Sequence, residues 1–488
     1  MRKAIVIGSG IAGLASALRL KKLGYEVDIY ETNSYTGGKL HAINSLGYRW
    51  DAGPSLFTMP YLVNEVIDLF SDDPKSYFEY IEKENICNYF WEDGTRFNVS
   101  KDLESFIKDA AIQFDENPNS IKQYLKKAKL KYDLTKGIFL ESSLHKISTY
   151  LKLKSLFTAI QFFRLDLFKN LDKTNKKAFK SDKLVQLFNR YATYNGSSPY
   201  ETPGIMSMIP HLEMYFGTFF PKGGMHEISQ SLTRLAQDQG INIHLNSSVN
   251  RILHNKGKAT GISTQTGEKQ ADLVVCNMDV FSAYNKLIKD IKPPQKVLKQ
   301  ERSSSALIFY WGIKGSFPKL DLHNIFFSDS YKEEFKEIFE TKGIHPDPTV
   351  YINITCKEAP EDAPEGHENW FVMINAPANY GQDWEALKQK ARKNIIAKLN
   401  RILKVDLNDL IEVEEILEPL TIESRTSSYR GSLYGSSSNN KFAAFLRHSN
   451  FSSQINNLYF CGGSVHPGGG IPLCLLSAKI VSNLVPKP

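Results

Sequence analysis

The apolar run Ala4-Ile5-Val6-Ile7 breaks abruptly into Gly8-Ser9-Gly10-Ile11-Ala12-Gly13, and no other stretch restricts the fold so strongly. A short apolar run closed by glycines has the pattern of a strand buried on both faces. Leu14, Ala17, Leu18 and Leu20 then recur at helical spacing up to Gly24, residues 25–30 form a second strand-like run, and Glu31 stands at its end. Strand, glycine turn, helix, strand and terminal acid in this order predict a βαβ unit opening a parallel sheet. The first glycine permits the tight turn, the second lets backbone approach a pyrophosphate, and the third lets helix and strand pack closely. The helix N-terminus offers free amides and a partial positive charge to phosphates, and Glu31 is placed to accept hydrogen bonds from ribose hydroxyls while disfavouring a 2′-phosphate. Gly8, Gly10, Ile11, Ala12, Gly13 and Glu31 are therefore candidate dinucleotide ligands.

Further glycine-rich segments point to a longer cofactor. Gly37-Gly38-Lys39 and Asp51-Ala52-Gly53-Pro54-Ser55 follow shortly after Glu31. A second glycine pair lets another loop approach an extended molecule, and Lys39 is placed to meet its phosphates. This favours FAD over NAD and adds Gly38, Lys39, Gly53, Pro54 and Ser55 to the candidates. Downstream, Gly223-Gly224-Met225 leads into a helical run over 226–239 and strand-like runs at 241–245, 248–254, 261–265 and 271–276. These resemble a further piece of a nucleotide domain, with the Val249 backbone facing the adenine edge and Asn277-Met278-Asp279 returning toward the flavin. Near the C-terminus a strand at 457–461 runs into Gly462-Gly463-Ser464-Val465-His466-Pro467-Gly468-Gly469-Gly470-Ile471-Pro472, with five glycines in nine residues. Linkers of this composition lie between domains, whereas this run joins a strand to a helix predicted over 473–485 and aims a second helix N-terminus at a ligand. Gly463 and Ile471 complete the cofactor candidates.

The chain has 488 residues, and single cores stop growing near ~250 to 300 residues, so two or more domains are expected. The hydrophobic share of 42% and charged share of 23% describe a globular protein. A net charge of +7 is compatible with an anionic membrane surface but too weak to imply nucleic acid. Five scattered cysteines, without a Cys-x-x-Cys pair, suggest neither a metal site nor a disulfide framework, and a reducing cytoplasm is expected. Residues 1–7 leave no room for a signal peptide, and no apolar run approaches the ~20 residues of a spanning helix.

With these segments in hand, the chain resembles the bacterial phytoene desaturase family of FAD-dependent carotenoid oxidoreductases, relatives of the amine oxidases. The likeness runs through the N-terminal fingerprint, Arg190-Tyr191-Ala192-Thr193-Tyr194-Asn195-Gly196-Ser197-Ser198-Pro199, residues 215–225 and 445–450, and above all His466-Pro467-Gly468 with Ile471-Pro472. Gly463-Ser464-Val465 before His466, and Leu473-Cys474-Leu475-Leu476 after Pro472, are most similar to the hydroxycarotenoid 3,4-desaturase branch. Phytoene desaturase, diapophytoene desaturase and carotene isomerase are the neighbouring readings. The resemblance implies an α/β fold: a Rossmann-like FAD-binding domain at 1–75, 216–290 and 426–488, interleaved with an α+β substrate domain at 76–215 and 291–425. Ser436-Ser437-Ser438-Asn439-Asn440 reads as an exposed turn.

A carotenoid is dissolved in lipid, so a protein without a span must dock on the bilayer, here the inner face of the cytoplasmic membrane. Leu153, Leu156, Phe157, Ile160, Phe163, Leu167, Phe168 and Leu171 follow helical spacing, accompanied by Lys152, Lys154, Arg164 and Lys169. A basic amphipathic helix of this kind can lie at the headgroup boundary, and an ordinary domain helix with a solvated face is the competing reading. Desaturation removes a hydride and a proton from adjacent carbons, with oxygen or a membrane quinone as the final acceptor. The polyene delocalises the positive charge left behind, which lessens the need for a strong base. His466 is the candidate base, although holding the neighbouring glycine backbone is the favoured use for it. Glu213, Asp279 and Arg447 are further polar candidates, with Asp279 suited to cap a helix and Glu213 to pair with a cation. Competing classes are an oxidase of compact amines and a flavin-free prenyl-binding protein.

Overall fold

The computed structural model describes residues 2–150, 165–440 and 442–488. Five parallel strands form one sheet in the order Leu458–Phe460, Leu273–Cys276, Lys3–Ile7, Glu26–Tyr30, Asn242–His244. The central strand Lys3–Ile7 is apolar on both faces because both faces are covered. Ala4 and Val6 pack under helices Ile11–Lys22, Glu227–Asp238 and Ile471–Leu484, while Ile5 and Ile7 face Ile252, Ile262, Ala283 and Leu287 on the other side. Burying each such side chain contributes about 1.5–3 kcal/mol, and the alternation follows the two-residue period of a strand. The α/β expectation is met, and segments hundreds of residues apart supply the sheet.

Val249–Asn255, Lys258–Thr264 and Gly267–Gln270 form an antiparallel sheet on the second face. The last of these strands, polar and short, is absent from the sequence reading. Gly261 sits in its partner strand at φ 149°, and a Cβ there would lie 2.0 Å from the Lys269 carbonyl oxygen. Only glycine permits that close approach.

A seven-stranded sheet has the order Ile411–Leu417, Ser305–Lys314, His367–Ala376, Val350–Ile354, His323–Phe326, Asn85–Phe90, Arg96–Ser100. One face, with Phe309, Trp311, Val350, Ile352, Trp370 and Val372, packs on helix Trp384–Leu403. The opposite face carries Tyr310, Tyr351, Phe371 and Met373. This second face meets the Asp51-to-Ser55 loop, since the Tyr310 hydroxyl donates to the Ala52 carbonyl at 2.6 Å. Helices Leu103–Phe114, Pro118–Thr135 and Asp182–Asn189 close the far end over an aromatic cluster.

Two expectations change. Ser436, Ser437 and Ser438 are buried, with only Asn440 exposed. Hydrogen bonding offsets the cost of burying them: Ser438 donates its amide to the Ser197 hydroxyl, Ser437 its hydroxyl to Glu301, and Ser436 accepts from Arg447. Nor does one helix run through residue 171. Asn170 caps a new helix, Leu171–Ala178, by accepting from the Lys173 amide. The expected basic amphipathic helix otherwise lies at 151–164, outside the described residues; Leu171 is buried whereas Phe168 is exposed.

The buried histidines give stability a pH dependence. Burial lowers His211, His448 and His466 to about 4 and His323 to about 3. Unfolded histidine takes its proton near 6.5, so between about 4 and 6.5 the unfolded chain binds more protons and stability rises with pH. Glu334, raised to about 7 by burial, acts in the opposite sense, as do Asp51, Glu201, Asp329 and Asp362, which burial also raises, but the four histidines act together across the whole range. Urea midpoints for the apoprotein should therefore fall steadily from pH 6.5 to 4.5; a flat profile would contradict the burial of four neutral imidazoles.

Candidate cofactor and active site

Gly8, Glu31, Asn277 and Cys461 follow directly on four of the parallel strands, at their carboxyl ends, where open α/β sheets bind ligands. Gly8 has φ 90°, and a Cβ on Gly13 would stand 2.1 Å from the Gly8 carbonyl oxygen. A Cβ on Gly10 would stand 2.7 Å from Asn277 Oδ1. The following helix begins at Ile11 with Gly10 as an N-cap that makes no side-chain bond, so its first amides keep their hydrogen-bonding capacity. Ile11 and Ala12 are buried in the core beneath the turn and present backbone rather than side chain. Glu31 is buried: one carboxylate oxygen accepts from the Ser9 amide at 2.7 Å and hydroxyl at 2.9 Å, the other from the Asn33 amide and side chain, each at 2.9 Å. The acid is thus held at the strand end by Ser9 and Asn33, neither of which the sequence reading singled out.

The second glycine pair lies against the first. The Gly37 amide donates to the Ser9 carbonyl at 2.9 Å, and a Cβ on Gly38 would lie 3.4 Å from the Gly10 Cα. The Lys39 ammonium donates to the carbonyls of Leu433 at 2.9 Å and Ser432 at 3.3 Å, and burial lowers it to about 8. A Cβ on Gly53 would meet the Lys39 carbonyl oxygen at 2.1 Å, which ties the Asp51-to-Ser55 loop to this segment. Asp51 orients that loop by accepting from the Met225 and His226 amides at 2.8 and 3.1 Å and from Arg49 at 2.8 Å. Pro54 is partly buried, and Ser55 turns away toward the seven-stranded sheet, donating to the Tyr351 hydroxyl at 3.0 Å. Val249 opens the antiparallel sheet just after Ser247, whose amide donates to the Glu31 carbonyl at 2.7 Å, so Val249 lies on the Glu31 side.

The C-terminal glycines reach the same place. A Cβ on Gly462 would stand 2.5 Å from Asn277 Nδ2, which itself donates to the Cys461 carbonyl at 3.1 Å. Gly463 packs on Gly469, where a Cβ would find the Cα at 3.2 Å, and Gly470 caps helix Ile471–Leu484 without a side-chain bond. Arg447 is buried and donates to the carbonyls of Tyr434, Gly463 and Ser436 at 3.0, 3.2 and 3.0 Å. Desolvation, with Arg302 nearby, lowers it to about 10. Among the described residues, Lys39 and Arg447 are bonded to carbonyls rather than carboxylates. Close-approach glycines from three segments, uncapped helix amides and two desolvated cations fit an elongated anionic dinucleotide. Asn277 was legible only as part of a loop; its position after a third sheet strand was the available signal.

His466 is buried, donates from Nε2 to the Ser142 carbonyl at 2.9 Å, and leaves Nδ1 without a partner. Its own backbone is held by His448, Asn450 and Ser477. Lowered to about 4, it is a neutral imidazole at pH 7 whose visible role is to join the glycine loop to residue 142. Asp279 caps helix Val280–Lys286 and pairs with Arg302 at 2.7 Å, and Glu213 pairs with Arg190 at 2.9 Å beside Tyr191 and Tyr194. Cap and ion pair are as the sequence reading placed them.

Gly13 offers a direct check. Gly13→Val forces a side chain into backbone and should cost about 1–3 kcal/mol and abolish flavin retention. Gly137→Ala, in a helical turn with nothing near its added Cβ, should leave both unchanged or slightly improved. Bound flavin per chain and thermal midpoint are the readouts; equal retention by the two variants would contradict the assignment.

Residues 11–486 match the family described as flavin containing amine oxidoreductase. A 1-hydroxycarotenoid 3,4-desaturase of Flavobacterium sp. (strain P99-3) is 60% identical over 100% of this chain and 99% of its own length. A 4,4'-diapolycopene oxygenase of Methylomonas sp is 30% identical over 99% and 98%. Among solved structures, an oxidoreductase from Methanosarcina mazei superposes with a TM-score of 0.64 over 99% of this chain and 100% of its own, at 17% identity, which speaks to the fold alone. The resemblance read from the C-terminal loop is borne out, and the chain belongs to the flavin containing amine oxidoreductase family.

Proposed function

We propose that this FAD-dependent oxidoreductase is a carotenoid desaturase that introduces the 3,4 double bond into a 1-hydroxycarotenoid. The observation that carries the reading is the 60% identity, over the whole chain, to a protein of that activity. FAD, where bound, supplies a two-electron hydride acceptor. The chain's residues bind and orient. The amides at Gly10, Ile11, Ala12 and Gly13 and the uncapped helix behind them would hold the diphosphate, with Gly8 allowing the turn. Glu31, fixed by Ser9 and Asn33, would hold the adenosine ribose, and the Val249 backbone the adenine. Gly38, Lys39, Gly53, Pro54, Gly463 and Ile471 would surround the flavin half, where the partly buried Lys39 and the buried Arg447 favour negative charge as it develops. The proton partner of the hydride leaves to solvent or to the Nδ1 lone pair of His466.

The same reading assigns residues 1–75, 216–290 and 426–488 to a cofactor domain and 76–215 with 291–425 to a substrate domain. The aromatic face of the seven-stranded sheet, with Tyr310, Phe371 and Tyr351, suits a polyene because it is apolar, wide and docked on the Asp51-to-Ser55 loop. Access would come from the membrane surface. In support, Ile147 and Phe168, on either side of residues 151–164, are 79% and 82% exposed, and no helix among the described residues is long and apolar enough to cross a bilayer. Oxygen or a quinone would reoxidise the reduced cofactor.

Anaerobic addition of a 1-hydroxycarotenoid in liposomes should bleach the flavin and yield product lengthened by one conjugated double bond. Bleaching by a putrescine-like amine, with none by the polyene, would overturn the reading. Ile147→Asp combined with Phe168→Asp should reduce co-flotation with anionic liposomes at least several-fold while leaving flavin content unchanged; unaltered flotation would remove this docking surface.

A further inference from the structure

A 3,4-desaturase of a 1-hydroxycarotenoid faces a geometric demand. The carbon bearing the hydroxyl is separated from the reacting C3–C4 bond by C2 alone. Whatever recognises the hydroxyl must therefore lie beside the cofactor, not at the distal end of a substrate channel. The charged groups near that part of the sheet, Arg190 with Glu213 and Lys83 with Asp321, are already paired, and a hydroxyl buried there without a partner is costly.

One polar chain crosses the aromatic face at this point. Ser55, at the end of the cofactor loop, donates to the Tyr351 hydroxyl at 3.0 Å, and Tyr351 OH lies 2.8 Å from His323 Nδ1. Asn353 donates its side-chain amide to the same Nδ1 at 3.3 Å, so Nδ1 is the acceptor nitrogen and the imidazole hydrogen sits on Nε2. His323 is 2% exposed, neutral with its pKa lowered to about 3, and its Nε2 has no hydrogen-bond partner. The register places His323 opposite Asn353, and Asn353 opposite Phe371, on the face that carries Tyr351 and Tyr310. Asn353 and Asn369 on this face already donate to carbonyl oxygens, whereas an imidazole with an unused donor, linked through two hydroxyls to the cofactor loop, is a costly arrangement unless a ligand completes it.

We propose that Ser55, Tyr351 and His323 form the hydroxyl-recognition subsite, accepting the substrate alcohol into this hydrogen-bonded chain and so setting C3–C4 against the cofactor. These are specificity-determining residues; none is assigned a proton or hydride transfer. The inference rests on the desaturase reading above and deepens it.

The test uses the full-length holoenzyme in liposomes and compares a 1-hydroxycarotenoid with the same polyene lacking the hydroxyl, by anaerobic flavin bleaching. Tyr351→Phe removes one oxygen, and His323→Gln keeps a donor but shortens its reach. The wild type should prefer the hydroxylated polyene. Each variant that retains flavin should lower that preference, the ratio of the two kcat/KM values, by roughly ten- to hundred-fold, the effect of losing a buried hydrogen bond to substrate. Equal losses on both polyenes, in either variant, would show a merely structural role and overturn the inference. If the wild type bleaches equally with both polyenes, the subsite falls while the desaturase reading stands. If it bleaches with neither, both fall. A variant that loses flavin is decided by its partner variant, and loss in both makes the chain a docking element for the loop and likewise overturns the proposal.

Discussion

The close approach of three strand ends around Asn277 is the constraint on which the site depends. Asn277 Nδ2 bonds the Cys461 carbonyl while its Oδ1 lies where a Cβ on Gly10 would be, so one side chain occupies space between the first and last glycine turns. A larger residue at Gly10, Gly13 or Gly462 would separate these loops. The sheet beneath them is assembled from residues 3–30, 242–276 and 458–460, and it brings together segments that the chain keeps far apart. Backbone proximity at the carboxyl edge follows from parallel pairing, and glycine makes it close enough for a cofactor.

Charge is arranged around the same edge. Glu31 is saturated with donors at one end, while Lys39 and Arg447 are desolvated at the other and bonded to carbonyl oxygens. Burial without a carboxylate weakens both cations, an expense that an anionic ligand offsets. Acid groups that do have buried cation partners, Asp279 with Arg302 and Glu213 with Arg190, stand as ion pairs with structural work to perform.

The first βαβ unit was legible because each signal in it is local: two-sided apolar strands, glycines where backbone must turn or touch, and an acid at a strand end. The C-terminal loop was legible for the same reason. Ser9, Asn33 and Asn277 were not, because their roles are to hold another residue, and that depends on which strands become neighbours. The serines at 436–438 looked like a solvent turn since composition cannot show that Ser197, Glu301 and Arg447 would arrive to satisfy them. His323 carried no sequence signal at all; its orphaned nitrogen exists only once the seven-stranded sheet is formed.

The central claim is that one extended cofactor is held jointly by residues 8–13, 31, 37–39, 277 and 462–471. Hydrogen exchange of the chain with and without FAD tests it directly. The account predicts that FAD slows exchange in all of these segments together, with a common dependence on FAD concentration. Protection confined to residues 8–31, with the 462–471 loop exchanging as it does in the apoprotein, would contradict it.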